Sequence, residues 1–285
     1  MSTEWVISRL GEADRAAWAS VVESVGWRFS AEEMDLFFAT GETWGARRNG
    51  ELVGVASVYR YEGPLAWLGN VAVVPDAQGK GVGTRLVQHV ISQVEGSGED
   101  TPLVLVARRE LAPLYARHGF RAAGEVIRLE AARVLAPPLP QEPLAPGEDR
   151  DAWGDVLALD RRAFGADRSQ VLQRAIRGAD KTVVVRDGEL APQGMGVATA
   201  SGEGTRLGPI VAQSDIMALN LLHLLAEDAE GPVVIDVWAE RASFVHRLRK
   251  LGFEERMTSA LMIRGNPKRW TQRPELYALL RPALG

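Results

Sequence analysis

A chain of 285 residues, 46% hydrophobic and 25% charged, has a globular composition and suits two domains of about 140 residues better than one. Its net charge of −4 argues against a nucleic-acid partner, and the absence of cysteine, with only four scattered histidines, excludes disulfides, thiolate metal sites and an acyl-cysteine intermediate. No apolar run reaches bilayer length and the first residues do not read as a signal peptide, so a cytoplasmic protein with no membrane partner and no metal is expected.

In chain order, "WGARRNGELVGVASVYRY" reads as two strands around the hairpin signal Asn49-Gly50. "LAWLGNVAVV" reads as a buried strand. Three glycines then fall within five residues (Gly79, Gly81, Gly83), and from Thr84 the apolar residues Leu86, Val87, Val90, Ile91 and Val94 recur at helical spacing. "TPLVLVA" is a further strand, and "RELAPLYARHGF" places Leu111, Leu114 and Tyr115 on one helical face that stops at Gly119. This alternation of strands and helices is an α/β pattern.

Five prolines between Pro137 and Pro146 mark a semi-rigid connector over 135–150, dividing the chain into 1–134 and 151–285. The same order of elements then returns. "TVVVRDGELAPQGMGVATA" repeats the hairpin around Asp187-Gly188, "RLGPIVAQSDIMALNLLHLL" the strand-to-helix passage, and "PVVIDVWAERASFVHRLRKLGFEERM" the strand, helix and Gly-Phe. Matching Gly83 to Ala218 and Gly119 to Gly252 gives separations of 36 and 34 residues, which fits an internal duplication.

A glycine in an ordered element costs roughly 0.5–1 kcal/mol against alanine, so the cluster at 79–83 needs a reason. It lies between a strand and a helix, where the first backbone N–H groups of the helix lack partners and face an incoming anion. Two phosphate motifs fail here: Lys80 is followed by Gly81 where a Walker A loop needs Ser or Thr, and a Rossmann fingerprint needs glycine at Thr84. What remains is Val-x-Pro-x-x-Gln-Gly-x-Gly-x-Gly, ending in Gln78 to Gly83. It resembles the pyrophosphate motif of the GNAT superfamily of CoA-dependent N-acyltransferases, and "LYARHGF" at 114–120 resembles that family's Leu-Tyr-x-x-x-Gly-Phe. The duplicated layout, with "GW" at 26–27, "LAWLGNVAVVP", "AFGADR" at 163–168 and "LGPIVAQ" at 207–213, is similar to a tandem GNAT family whose N-terminal half keeps the motifs.

The resemblance implies a mixed α/β fold of two GNAT-like domains, with acetyl-CoA as cosubstrate held by Val71, Ala72 and Val73 on the strand and by Gln78, Gly79, Lys80, Gly81, Val82, Gly83 and Thr84 at the loop. A strand N–H from Val71 to Val73 would bond the acyl oxygen. Tyr115 stands where the family's general acid stands. A phenol of pKa about 10 facing a thiol of about 8.5 can give up its proton as the thiolate forms. Two departures stand out: Gln78 replaces a frequent arginine, and Arg108 and Arg109 occupy a place where small polar residues often meet the pantetheine. Lys80 and Arg85 fit either solvated charges or partners of CoA phosphates. Trp27 and Trp67 fit either an acceptor pocket or core, core being the commoner fate of tryptophan. The general base is open between Glu62 and an ordered water. In the second half Gln213, Ser214, Asp215, Ile216 and Ala218 replace the loop and Leu248 replaces Tyr115, so that half is read as degenerate. The expected activity is direct acetyl transfer to a primary amine of a small molecule. The rival reading is a non-catalytic acyl-CoA-binding or regulatory protein. A third, resembling mycothiol synthase, needs a working second half. Acceptor and oligomeric state are not legible.

Overall fold

The computed structural model describes residues 5–63, 65–96, 101–135, 153–187, 191–202, 204–270 and 274–285. The expected connector lies outside the described residues from position 136 onward, as does Gly188 of the second hairpin signal.

The first half runs β1 (Val6–Arg9), α1 (Arg15–Glu23), α2 (Ala31–Thr40), β2 (Glu42–Arg48), β3 (Glu51–Tyr61), β4 (Leu65–Val73), α3 (Val82–Glu95), β5 (Leu103–Arg108), α4 (Ala112–Ala116) and β6 (Arg121–Ala131). Local chemistry fixes several boundaries. Glu33 N donates to Ser30 Oγ at 3.2 Å and Ser30 N to Glu33 Oε2 at 2.7 Å, a capping box that starts α2. Asn49 and Gly50 take φ of +52° and +86°, the left-handed pair that a tight hairpin requires. The apolar stripe of α3 is buried as its spacing requires, over Val82, Leu86, Val87, Val90, Ile91 and Val94.

The second half runs α5 (Trp153–Phe164), α6 (Ser169–Arg177), β7 (Lys181–Arg186), β8 (Pro192–Ser201), β9 (Gly204–Val211), α7 (Asp215–Ala226), β10 (Val233–Trp238), α8 (Ala242–Lys250), β11 (Glu254–Arg264) and β12 (Leu276–Ala278). Among the described residues all twelve strands form one mixed sheet, ordered β1-β2-β3-β4-β5-β11-β6-β10-β12-β9-β8-β7. The halves are interleaved: β11 lies antiparallel between β5 and β6, while β6 pairs antiparallel with β10. Each half thus lends its last long strand to the other. The ranges 1–134 and 151–285 are repeats in sequence that share one sheet.

The seam carries buried charge. Asp236 on β10 accepts from Arg128 Nε at 2.9 Å and Nη2 at 3.2 Å on β6, and also pairs with Arg206 on β9. Helices α1, α2, α5 and α6 pack on one face and share a core around Trp18, Phe37, Trp67, Phe164 and Trp238. On the other face α3 covers the first half, and α7 and α8 cover the second. Among the described residues no helix is long and apolar enough to cross a membrane.

Candidate active site

The site begins at a fault in β4. Val55 pairs with Ala72 and Ser57 with Gly69, so Asn70 and Val71 both oppose Ala56 and form a β-bulge. Asn70 takes φ +51°, a left-handed conformation uncommon outside glycine. The neighbouring parallel strand β5 pairs with β4 only at Ala66–Leu103 and Trp67–Val104. Beyond that the two strands part, and the β5-facing edge of β4 from Leu68 to Val73 opens into a wedge.

The wedge leads to the glycine loop. Gly79 and Gly81 take φ of +70° and +83°, and a Cβ on either would meet nothing within 4 Å. Their need for glycine is therefore conformational. Gly83 is not left-handed, and its Cβ would meet only Val73 Cγ2 at 3.6 Å, an ordinary contact. Nothing among the described residues requires glycine at that position. Gly81 caps α3 without any side-chain acceptor, so the first-turn N–H groups stay open at the positive end of the helix. The side chains expected to face a ligand are turned to their own loop: Gln78 Nε2 donates to Val73 O at 2.9 Å and Lys80 Nζ to Asp76 O at 2.7 Å. Val82 is buried, which leaves its backbone N–H as its contribution to the loop surface.

Tyr115 comes from α4, and Gly119 (φ +83°) ends that helix so that Phe120 returns edge-on to the tyrosine ring at 5.9 Å. Tyr115, Phe120 and Val82 share one apolar cluster with the partly buried Val71 and Val73, while Ala72 faces the opposite core. Strand, helix start and tyrosine thus border one apolar cluster. One expectation changes: burial pushes the Tyr115 phenol up to about 12 instead of the ordinary 10. Among the described residues its hydroxyl has no hydrogen-bond partner. Arg109 is held by Glu125 at 2.6 Å and Arg108 is exposed at the end of β5.

The second half has the same frame, closed. A Cβ on Gly54 would touch Val82 and Leu86, and one on Gly194 would touch Met217 and Leu221, which sets α3 and α7 in register. By that register Ser214 replaces Gly79, and it caps α7 by accepting from Met217 N at 3.2 Å. The strands β9 and β10 pair from Thr205–Val233 to Leu207–Ile235 and part as β4 and β5 do, but β12 enters between them. Tyr277 of β12 donates its hydroxyl to Asp215 Oδ1 at 3.0 Å, and Leu248, fully buried, stands at the place of Tyr115. The wedge of this half is filled by the chain itself.

Sequence reasoning missed the segment after β12. Its backbone runs beneath β4: Trp67 Nε1 donates to Pro282 O at 2.9 Å, Tyr61 Oη to Leu284 O at 2.6 Å, and a Cβ on Gly69 would lie 2.3 Å from Ala283 O. Trp67 is therefore core, stacked edge-on to Trp270 at 5.6 Å. Trp27 is half-buried against Phe29. Glu62 lies beyond the opposite end of β4, its backbone paired with Asp167, and does not join the site.

Comparison with known proteins agrees with this geometry. A family model described as "Acetyltransferase (GNAT) family" matches residues 12–120, and one described as "Acetyltransferase (GNAT) domain" matches residues 156–278. The chain is 30% identical over 266 residues to the uncharacterized N-acetyltransferase YitH of Bacillus subtilis, covering 91% of each chain. It is 28% identical over 223 residues to a holothin acyltransferase of Pseudoalteromonas, covering 76% of this chain and 72% of that one. A crystal structure of a candidate acetyltransferase from Pyrococcus horikoshii superposes with a TM-score of 0.82 at 18% identity, over 100% of this chain and 97% of the other. The fold and site define a tandem GNAT protein. The chain belongs to the GNAT family of N-acetyltransferases.

Proposed function

We propose that the N-terminal half transfers an acetyl group from acetyl-CoA to the primary amine of a small molecule, directly, within a ternary complex. The observation that carries this reading is the contrast between the halves: one wedge is open beside an uncapped, glycine-lined helix start, and the other is capped by Ser214 and filled by β12. Acetyl-CoA supplies the activated thioester. In this reading the backbone N–H groups of Gly81, Val82, Gly83 and Thr84 receive its pyrophosphate, with Gln78, Gly79 and Lys80 shaping the approach. A peptide N–H between Val71 and Val73 donates to the acyl oxygen in this reading and stabilises the charge that develops there. Tyr115 serves as the acid for the departing sulfur. Its raised pKa makes it a weaker acid than a free phenol, so the transfer depends on the same dry surroundings raising the thiolate. The amine attacks as the neutral species, its surplus proton leaves to solvent and Tyr115 regains a proton from solvent, which balances the reaction as amine plus thioester giving amide plus thiol. The Pseudoalteromonas relative, named for acyl transfer to holothin, supports a small-molecule acceptor.

Calorimetric titration with acetyl-CoA tests the reading: one equivalent per chain is expected. Gly81→Asp, which adds a carboxylate at the anion site, should abolish measurable binding in a folded protein. Unchanged affinity in that variant, or two tight equivalents in the parent, refutes it. A screen of amines following CoA release then identifies the acceptor.

A further inference from the structure

The bulge in β4 is held by a buried polar latch that no packing requirement calls for. Asn70 is 5% exposed and Tyr59 0% exposed, and Asn70 Nδ2 donates to Tyr59 Oη at 2.9 Å, with the buried Ser57 hydroxyl also beside the phenol. Burying an amide and a phenol in such surroundings is unfavourable unless they satisfy each other, and an apolar pair of the same shape would fill the space without that demand. The tyrosine ring is itself seated closely: a Cβ on Gly41 would lie 2.5 Å from Tyr59 Cε1. On the same strand, one residue earlier, Gly69 rests on Ala283 of the chain's final segment. The bulge is therefore gripped from β3 and from below.

What the latch controls follows from the register. A strand alternates faces with a period of two, and one inserted residue reverses that alternation for everything after it. Trp67 and Ala72, five positions apart, lie in the same core, while Leu68, Val71 and Val73 belong to the α3 side. Without the insertion, positions five apart would face opposite ways. The peptide groups of residues 71–73 present their N–H groups accordingly.

We propose that Asn70 is a positioning residue for acyl transfer: fixed in a left-handed conformation by its bond to Tyr59, it sets the direction of the strand N–H groups that meet the acyl oxygen. The proposal rests on the acetyltransferase reading given above. It does not require Asn70 to touch either substrate.

The test uses the full chain and three variants, with acetyl-CoA affinity, kcat at saturating amine and Tm measured for each. Asn70→Ala, which disfavours positive φ and removes the carboxamide, should lower kcat at least tenfold while acetyl-CoA affinity stays within threefold. Asn70→Gly, which tolerates positive φ, should recover at least threefold of that loss. Tyr59→Phe, which keeps the ring but frees the carboxamide, should lower kcat with little effect on affinity, and it decides the matter if Asn70→Ala does not fold. Parental kcat in folded Asn70→Ala or in Tyr59→Phe overturns the proposal, as does a glycine variant no faster than the alanine one. A parent chain that neither binds acetyl-CoA nor releases CoA instead overturns the acetyltransferase reading, and the positioning role with it.

Discussion

Gly83→Ala separates what the protein needs from what a ligand needs, because the two responses have opposite signs. Gly83 sits in the first turn of α3 without a left-handed φ, and the added methyl would meet only Val73 Cγ2 at 3.6 Å. Alanine should then stabilise the folded chain by about 0.5–1 kcal/mol through helix propensity and a less flexible unfolded state, a rise in Tm of about 1–3 °C at this size. The same methyl adds bulk in the first turn of the helix, where a bound pyrophosphate would approach. If it displaces one charge-assisted hydrogen bond to phosphate, the loss is about 1.5–3 kcal/mol, or roughly a 10- to 100-fold weaker Kd. Thermal melting with and without acetyl-CoA reads both quantities, since a weaker ligand also raises Tm less. A more stable variant with unchanged affinity would show that the glycine is not kept for the pyrophosphate. A markedly less stable variant would refute the geometry itself.

Tyr115→Phe should leave acetyl-CoA affinity unchanged and slow turnover by about 10²–10⁴-fold where chemistry limits the rate. Because burial raises the phenol to about 12, the acid form persists and kcat should show no alkaline loss between pH 8 and 10.5; a limb near 9 that disappears in Tyr115→Phe would contradict this. The same shift contributes stability present below the unfolded value near 10 and lost as pH rises through 12. Burial alone would raise the Asp236 carboxyl, but Arg128 and Arg206 outweigh it and hold the group below its ordinary range, so its contribution is present above about pH 4 and lost on acidification. Asp236→Asn removes the buried carboxylate that Arg128 and Arg206 share and should cost about 3–5 kcal/mol by urea denaturation, with a loss under 1 kcal/mol arguing that the seam is wet. Gly69→Ala forces a methyl to within 2.3 Å of Ala283 O and should destabilise by about 1–3 kcal/mol or more, with kcat falling further than acetyl-CoA affinity; a neutral variant would mean the final segment does not bear on β4.

Much of the candidate site was legible because its determinants are local. The glycine cluster at 79–83, the helix stop at Gly119, the buried stripe of α3, the Asn49-Gly50 turn and the loss of glycines in the second half are properties of a few consecutive residues, while the left-handed φ of Gly79 and Gly81 is seen only in the structure. Gly83 belongs with them by motif, yet among the described residues the structure gives it no internal reason. The pKa of Tyr115 was not legible, because desolvation depends on what surrounds the ring. Nor was the partner of Trp67: core was the commoner reading for that residue, but its indole finds its acceptor in Pro282, 215 residues away.

The sequence by itself determined the hairpins, the strand-to-helix passages, their duplicated order and which half keeps the glycines at its helix start. Only the tertiary structure decided that β6 and β11 change places, that β12 closes the second wedge, and that Asn70 is locked to Tyr59. The reason lies in how strands pair. A strand edge offers the same backbone donors and acceptors to any partner, so side-chain pattern marks a residue as strand and buried but does not name the neighbour. Which edges meet is settled when the helices of both halves compete to cover one shared core, and that competition has no local signature.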